Sequence, residues 1–496
     1  MDDEEERLLS RSLTGPLANS SAPRDKEPAQ DELDQLLKWQ EERMKRRMQG
    51  EYESATMRMA ELVNGNIDAA GHVSSVRILG ASATRPGFLK ALITPHIASA
   101  ETFGDSMHAT RRIVNSLART DVFSNISPTL HLASSPFANP GDVDVLVHVK
   151  ERGRFLFRTM TELGNGEGSV SATGRVLNAF GGAETLEANI SSGTKTKRLF
   201  TATMTVPLAV TDLRTAAELT AYGWHRDNEV WASSHEELQG IKLALKHVVG
   251  YGSHELAYEV AQRNICNLTP TASLSIREQA RPTVKSAVSH SFTYDTRVET
   301  PSGRLGAYFK VSEELAGLGL QGDAVHAKGE VISQLGRVIF PGLVASVGLR
   351  GGILCSLNDK PSLYSDRFQL GGPLTVRSMR HGGLGPRDGP DALGGDLYWA
   401  AGASLIADIP RRPQWPLKTH AFLNAGRLDA LRRRPGQPLI DDIRASLGMP
   451  SITAGVGLIF THGPARAEIN FGVPLVAAQS DRLVRGMQFS VGLDFL

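Results

Sequence analysis

Arg377 is the residue whose surroundings most invite a chemical role. It stands in Val376-Arg377-Ser378-Met379, inside a Gly- and Pro-rich stretch from about 354 to 394. A planar guanidinium offers five donors and no acceptor, so it can hold several acceptors at once. An exposed loop arginine is the plainer alternative. Other candidates are weaker. His225 lies between Trp224 and Arg226 with no second ligand at metal-binding spacing, so a solvated or inward-facing histidine is expected. GGLGPRDG is glycine-rich, but it does not follow a strand and open a helix, which argues against a phosphate loop. Cys266 and Cys355 make no disulfide framework, and free thiols are expected. The basic stretch RLDALRRRPGQP suits a turn facing acidic headgroups or an acidic partner, or a solvated turn. Nothing in this set makes a catalytic arrangement. The expectation is a non-enzyme with no cofactor and no metal.

Charge is nearly balanced, 54 Lys+Arg against 53 Asp+Glu, which argues against nucleic acid as a partner. No uncharged apolar run is long enough to cross a bilayer as a helix. The acidic start MDDEEERLLSRS has the design of neither a signal peptide nor a mitochondrial presequence. Residues 1–50 read as an extension, with disorder expected to about residue 30 and a helix from Asp31 through Gln49. Between 51 and 152 lies a small α/β unit. Its strand HVSSVRILG is followed by helical stretches RPGFLKALITPHI and DSMHATRRIVNSLARTDVF, then by strands NISPTLHLASS and DVDVLVHVKE.

From 153 to 496 the pattern changes to alternation. In GPARAEINFGVPL, Ala465, Ala467, Ile469, Phe471 and Val473 share one face, and Arg466, Glu468 and Asn470 the other. In DAVHAKGEVISQL, Val325, Ala327 and Val331 oppose His326, Lys328 and Glu330. A soluble sandwich and a membrane barrel both carry this period. About sixteen such segments follow one another, and an open sheet of that size would leave edges that closure removes, which favours the barrel.

The sequence FQLGGPLTVRSM resembles the signature loop of the outer-membrane barrel-insertase superfamily, whose bacterial member assembles outer-membrane proteins. That loop carries a V/I-R-G-F/Y motif. Here Ser378 and Met379 stand where the family has Gly and an aromatic. LGGDLYWAAGASL, THAFLNAGRL, ITAGVGLIF, GPARAEINFGVPL and QFSVGLDFL are similar, in order, to the mitochondrial branch of the family, the central barrel subunits of the sorting and assembly machinery. The order β-α-α-β-β and the stretch LARTDVFSNI resemble a POTRA domain.

The resemblance implies a transmembrane β fold: a 16-stranded antiparallel up-and-down barrel after one N-terminal POTRA domain. It implies that the loop folds into the lumen and that Arg377 meets the wall at Phe422, Asn424 and Gly426. Asn424 stands where relatives outside mitochondria often have an acid, so a hydrogen bond is expected there in place of a salt bridge, and Phe422 could stack on the guanidinium. It implies a weak seam, or lateral gate, between the first and last strands. The expected first strand, RFLFRTMTELGNGEGS, ends in Gly164, Gly166 and Gly168, which pack nothing. The expected last strand holds Phe489, Ser490, Val491, Gly492, Leu493, Asp494 and Phe495, and resembles the β-signal of barrel precursors. The activity implied is insertion of β-barrel precursors into the mitochondrial outer membrane, and the absent signal peptide favours that membrane over the bacterial one. The partners implied are precursor substrates, the lipid bilayer and two peripheral cytosolic-side subunits, with barrel-to-barrel association left open and the POTRA domain in the intermembrane space. A passive porin or protein-secretion barrel is the alternative.

Overall fold

The computed structural model describes residues 33–97, 101–134, 139, 141–164, 167–208, 213–300, 303–319, 322–358, 360–412, 414–431, 439–462, 465–484 and 486–492. The chain divides into two compact units near Glu151, with Ser82–Leu89 and Thr120–Val122 grouping with the second.

In the first unit, helix α1 (Leu33–Gly65) runs well beyond the expected end at Gln49. The added stretch MRMAELVN has strong helix formers and no proline, so nothing stops the helix before Gly65. Then come β1 (Val73–Leu79), α2 (Pro86–Ile97, of which only the part from Lys90 groups with this unit), α3 (Phe103–Arg119), β2 (Phe123–Leu132) and β3 (Val143–Glu151). The sheet order is β1-β3-β2, parallel for the first pair and antiparallel for the second. This α/β region is consistent with a POTRA-type fold. Strand β3 buries Val143, Val145, Val147 and Val149 on one face, and α3 buries Ala109, Ile113 and Leu117. Burying one such Ile or Leu contributes about 1.5–3 kcal/mol. Helix α3 begins on a reciprocal cap. The Asp105 N–H donates to Thr102 Oγ1 at 3.1 Å, and the Thr102 N–H donates to Asp105 Oδ2 at 3.2 Å. The Thr102 bonds hold the Asp105 carboxyl below the usual carboxylate range.

The second unit is a large antiparallel sheet of sixteen strands. They are β4 (Phe155–Gly164), β5 (Glu167–Leu177), β6 (Thr185–Gly193), β7 (Thr196–Pro207), β8 (Thr215–Asp227), β9 (His235–Val249), β10 (Gly252–Cys266) and β11 (Pro282–Asp295). The rest are β12 (Gly303–Ala316), β13 (His326–Phe340), β14 (Leu343–Ser356), β15 (Leu397–Asp408), β16 (Leu417–Asp429), β17 (Ser451–His462), β18 (Ala465–Val476) and β19 (Gly486–Gly492). Neighbours in sequence are neighbours in the sheet.

The two faces of this sheet invert the rule for soluble proteins. Along β16, Lys418, His420, Phe422, Asn424, Gly426 and Leu428 are buried, while Leu423 between them is exposed. On β18, Phe471 and Val473 are 52% and 61% exposed, while Glu468 and Asn470 are buried. The inner face carries ion pairs between neighbouring strands, such as Lys246–Glu218 at 2.7 Å and Lys285–Glu314 at 2.7 Å. A soluble sandwich would bury the Phe and Val and expose the charges. An apolar outside and a charged inside suit a sheet with hydrocarbon around it. No described helix is long and apolar enough to cross a membrane.

Candidate functional site

The segment between β14 and β15, residues 357–396, folds back against the inner face of the sheet. Isolated bridges Phe368–Gly395 and Leu370–Leu384 give it a local framework. Phe368, Leu370, Val376, Met379 and Leu384 pack with Leu354 of β14, Tyr398 and Ala400 of β15 and Leu428 of β16. A loop this long is stable inside a sheet only if its polar groups find partners there. Two charged anchors supply them.

The first anchor is near the loop's start. Arg263 of β10 pairs through both terminal nitrogens with the Asp366 carboxylate, at 2.5 and 3.2 Å, and both residues are buried. Lys328 of β13 donates to the Asp366 carbonyl at 2.7 Å and lies over the Phe368 ring. The second anchor is Arg377, fully buried. Its Nε donates to Glu468 Oε2 at 3.0 Å and one terminal nitrogen to Glu468 Oε1 at 3.3 Å. The other terminal nitrogen donates to Asn424 Oδ1 at 3.3 Å. The guanidinium carbon lies 5.2 Å from the centre of the Phe422 ring. Asn470 donates to Glu468 Oε2 at 2.8 Å and meets His420 at 2.6 Å, so the carboxylate is held from behind.

Backbone geometry makes room for the tip. Ser378 has φ +63°, in the left-handed region that favours glycine. The resemblance places a glycine there, and this backbone explains why. A Cβ on Gly426 would lie 3.0 Å from Val376 Cγ2, and one on Gly472 would collide with Ser378 Oγ. Beyond the apex the loop pairs with the segment that enters β19. Val484 N–H donates to the Ser378 carbonyl, Arg380 N–H to the Arg482 carbonyl and Arg482 N–H to the Gly383 carbonyl, at 2.8–2.9 Å.

Val376, Arg377, Phe422, Asn424 and Gly426 are therefore brought together, with Ser378 and Met379 at the apex. The hydrogen bond expected at Asn424 is present. The carboxylate for Arg377, lost from that strand, is supplied two strands on by Glu468. Its signal in the sequence was the polar face of GPARAEINFGVPL. Gln488, whose Oε1 accepts from the Ser378 N–H at 2.9 Å, and the Arg263–Asp366 pair had no signal of their own.

The seam residues divide differently from expectation. Gly164 closes β4, but Gly168 lies on β5, where it pairs with Leu163. The glycines are therefore not all on the first strand. Gly166 lies outside the described residues. On β19, Phe489 is exposed, and Ser490, Val491 and Gly492 pair with Glu468, Ala467 and Arg466. Leu493, Asp494 and Phe495 lie outside the described residues.

His225 also departs from expectation, because the β8–β9 turn brings His235 to it. The two rings meet at 3.0 Å, and His225 meets Glu237 at 2.9 Å. Asp227, Glu229 and His235 are grouped closely enough to hold an ion. Asp227 is already committed, accepting from the Glu229 N–H at 2.9 Å and pairing with Lys197 at 3.1 Å. In the grouping of Glu314, His326 and Asp366, Lys285 and Arg263 already balance the carboxylates. Cys266 and Cys355 are free thiols.

A family model described as the Omp85 superfamily domain matches residues 178–495. A SAM50-like protein of Schizosaccharomyces pombe is 33% identical, over 88% of this chain and 94% of its own length. Sorting and assembly machinery component 50 homolog A of Xenopus laevis is 33% identical, over 77% of this chain and 81% of its own. The structure of BamA from Haemophilus ducreyi lacking POTRA domains 1–3 has the same fold, with a TM-score of 0.70 and 16% identity over 85% of this chain and 84% of that one. An inside-out sheet with an arginine-tipped loop against its inner face thus has its class: the chain belongs to the Omp85 superfamily of outer-membrane barrels. Within that superfamily it is homologous to SAM50, the core barrel of the sorting and assembly machinery, a non-catalytic mitochondrial outer-membrane protein of membrane-protein assembly.

Proposed function

We propose that the chain folds and inserts β-barrel precursors into the mitochondrial outer membrane through a lateral gate between β4 and β19. The observation that carries this reading is the backbone pairing of Arg482–Val484 with the loop apex. Just before the last strand joins the wall, the chain is bonded to an inward loop and not to β18. The wall is thus built differently at its seam than elsewhere. In lipid an unpaired strand edge costs several kcal/mol per group, by rough estimate, because no water replaces the lost bond. An opened seam offers that edge to a precursor's β-signal, which pairs by strand addition. Later hairpins add in turn, and no covalent step or nucleotide is needed.

In this reading the sheet is a closed transmembrane barrel, and Val376, Arg377, Ser378 and Met379 form the functional loop motif seated on Phe422, Asn424 and Gly426. The first strand with Gly164 and the last with Phe489–Gly492 form the gate. The POTRA-type unit faces the intermembrane space. The relatives' names, components of a sorting and assembly machinery, support a multi-subunit complex, which in this reading two peripheral subunits on the cytosolic side complete. A passive porin fits less well, because the loop fills the inner face with buried Val376, Arg377 and Met379.

The test is a covalent lock. With Cys266 and Cys355 changed to Ser, cysteines introduced in β4 and β19 are joined by a bifunctional maleimide. Precursors should bind the locked protein and fail to be released as barrels. Normal assembly in a fully locked sample overturns the gate.

A further inference from the structure

We propose that His225 and His235 form a binding site for a divalent cation of the zinc class, a clip across the neck of the β8–β9 turn. The site uses none of the Arg377 contacts and does not depend on the gate reading.

Each ring has one nitrogen turned to a carboxylate. His225 Nδ1 lies 2.9 Å from Glu237 Oε1, and His235 Nε2 lies 3.0 Å from Glu229 Oε1. A carboxylate only accepts, so each of these nitrogens carries its ring's proton. In neutral rings the other two nitrogens, His225 Nε2 and His235 Nδ1, are then bare, and they face one another at 3.0 Å. Two lone pairs at that distance repel unless an electrophile joins them. A metal ion does so, and a carboxylate behind each ring is the usual way a protein orients a histidine for a metal. Two imidazole nitrogens on one tetrahedral zinc stand about 3.3 Å apart, from bonds of about 2.0–2.1 Å, so a small shift of the rings is enough. Charge agrees. Asp227, Glu229 and Glu237 surround the pair, against Lys197, which pairs with Asp227, and Arg198, opposite His225 on β7, so the surroundings stay negative. His254 and His290, of β10 and β11, also meet, at 3.2 Å. Among the described residues only His290 of that pair has a carboxylate behind it, Glu313 at 3.8 Å.

The position gives the ion a task. His225 is near the end of β8 and His235 opens β9, so the ion joins the two strands where the turn leaves the sheet. The turn carries Trp231, which is buried with Ile276 and Tyr364 and meets His381 of the loop edge-on, with 4.6 Å between ring centres. A metal at the neck holds this turn, and with it Trp231, on the loop. His235 is buried and His225 half-buried, which leaves the ion a way in and room for water to complete its coordination.

The test uses tag-free, full-length protein in lipid nanodiscs, stripped with a chelator, with Cys266 and Cys355 changed to Ser to remove thiolate ligands. Zn2+ is titrated calorimetrically, with Mg2+ as the control, since imidazole suits zinc and not magnesium. One site is expected for Zn2+ and none for Mg2+. His225→Ala and His235→Ala should each abolish it. Glu229→Gln and Glu237→Gln alter half-exposed side chains, so they keep the fold even where a histidine variant does not, and each should weaken binding about tenfold. Hydrogen exchange of the parent protein locates the ion: Zn2+ should slow exchange in the segment 225–237 and leave 247–290 unchanged. A protein that takes no Zn2+ would hold only a shared proton between the two rings, and the proposal would fall. It falls equally if the histidine or the glutamate variants keep the parent's affinity, or if the protection appears around His254 and His290 instead.

Discussion

Arg377 Nε and Glu468 Oε2 lie 3.0 Å apart with neither side chain exposed, and this pair joins the loop apex to the wall strand beside the last one. Burying two charges is costly, so such a pair is most visible when one partner is removed. Breaking a buried pair typically costs about 3–5 kcal/mol, because the remaining charge has no counterion. Glu468→Gln should therefore lower the unfolding temperature of the purified protein in detergent and free the loop from the wall. Asn424 already accepts from the same guanidinium at 3.3 Å. Asn424→Asp placed on Glu468→Gln should recover much of the loss, because it returns a carboxylate to the same donor. Thermal unfolding of the two variants checks both statements. Equal unfolding temperatures for the single and the double variant would show that charge is not what the site needs.

The apex invites a substitution in the opposite direction. Ser378 holds a left-handed backbone, which disfavours any residue with a Cβ by about 1–2 kcal/mol. Ser378→Gly relieves that strain and adds freedom to the unfolded chain, roughly 0.5–1 kcal/mol the other way. The expected net effect is a small rise in stability with the loop seated as before. Urea unfolding in detergent is the measurement, and a clear loss would mean that the Ser378 hydroxyl contributes more than its backbone costs.

How much of this was legible follows from what each residue reports locally. Val143, Val145, Val147 and Val149 recur at every second position, so the inner face of β3 was readable from a few residues. The face change on β18 was readable too: Phe471 and Glu468 lie on opposite sides of one strand, and the structure keeps them so. Arg377 became prominent only through the loop it resembles, since its acceptors are 47 and 91 residues away. No local period can signal a contact of that separation. Gly168 went to the wrong strand because the end of one strand and the start of the next look alike in sequence where both hold glycine. His225 seemed alone because its neighbour, His235, is reached across a turn. Gln488 had no signal, since an inward polar residue on a strand is ordinary until something lies opposite it.

The loop's other anchor separates pairing from burial. Arg263 and Asp366 are both buried and share two hydrogen bonds. Arg263→Leu leaves the Asp366 carboxylate without its main counterion, and Asp366→Leu does the same to the guanidinium. Each single change should cost about 3–5 kcal/mol, while the double change should cost less than the sum, since no charge is then stranded by the other's loss. A double-variant cycle on unfolding free energy reads the coupling directly. Simple additivity would mean that Lys328 and His326, which also lie beside Asp366, carry the anchor instead.

The outward face makes the most general claim, because it concerns the solvent around the whole sheet. Val456 sits at the middle of β17, is 60% exposed and points away from the charged interior. If hydrocarbon surrounds it, Val456→Arg should cost about 2–4 kcal/mol, the value for a cation near the bilayer midplane of a barrel. Ser171 of β5 is a control with the opposite environment: its neighbour Val170 is exposed on the outer face, so Ser171 points inward. Ser171→Arg meets a charged and wet interior and should be nearly neutral. Both variants are refolded into lipid vesicles and titrated with denaturant. A harmless arginine at Val456 would mean that water, not lipid, lies against this wall, and the assembly function proposed above would lose its physical basis.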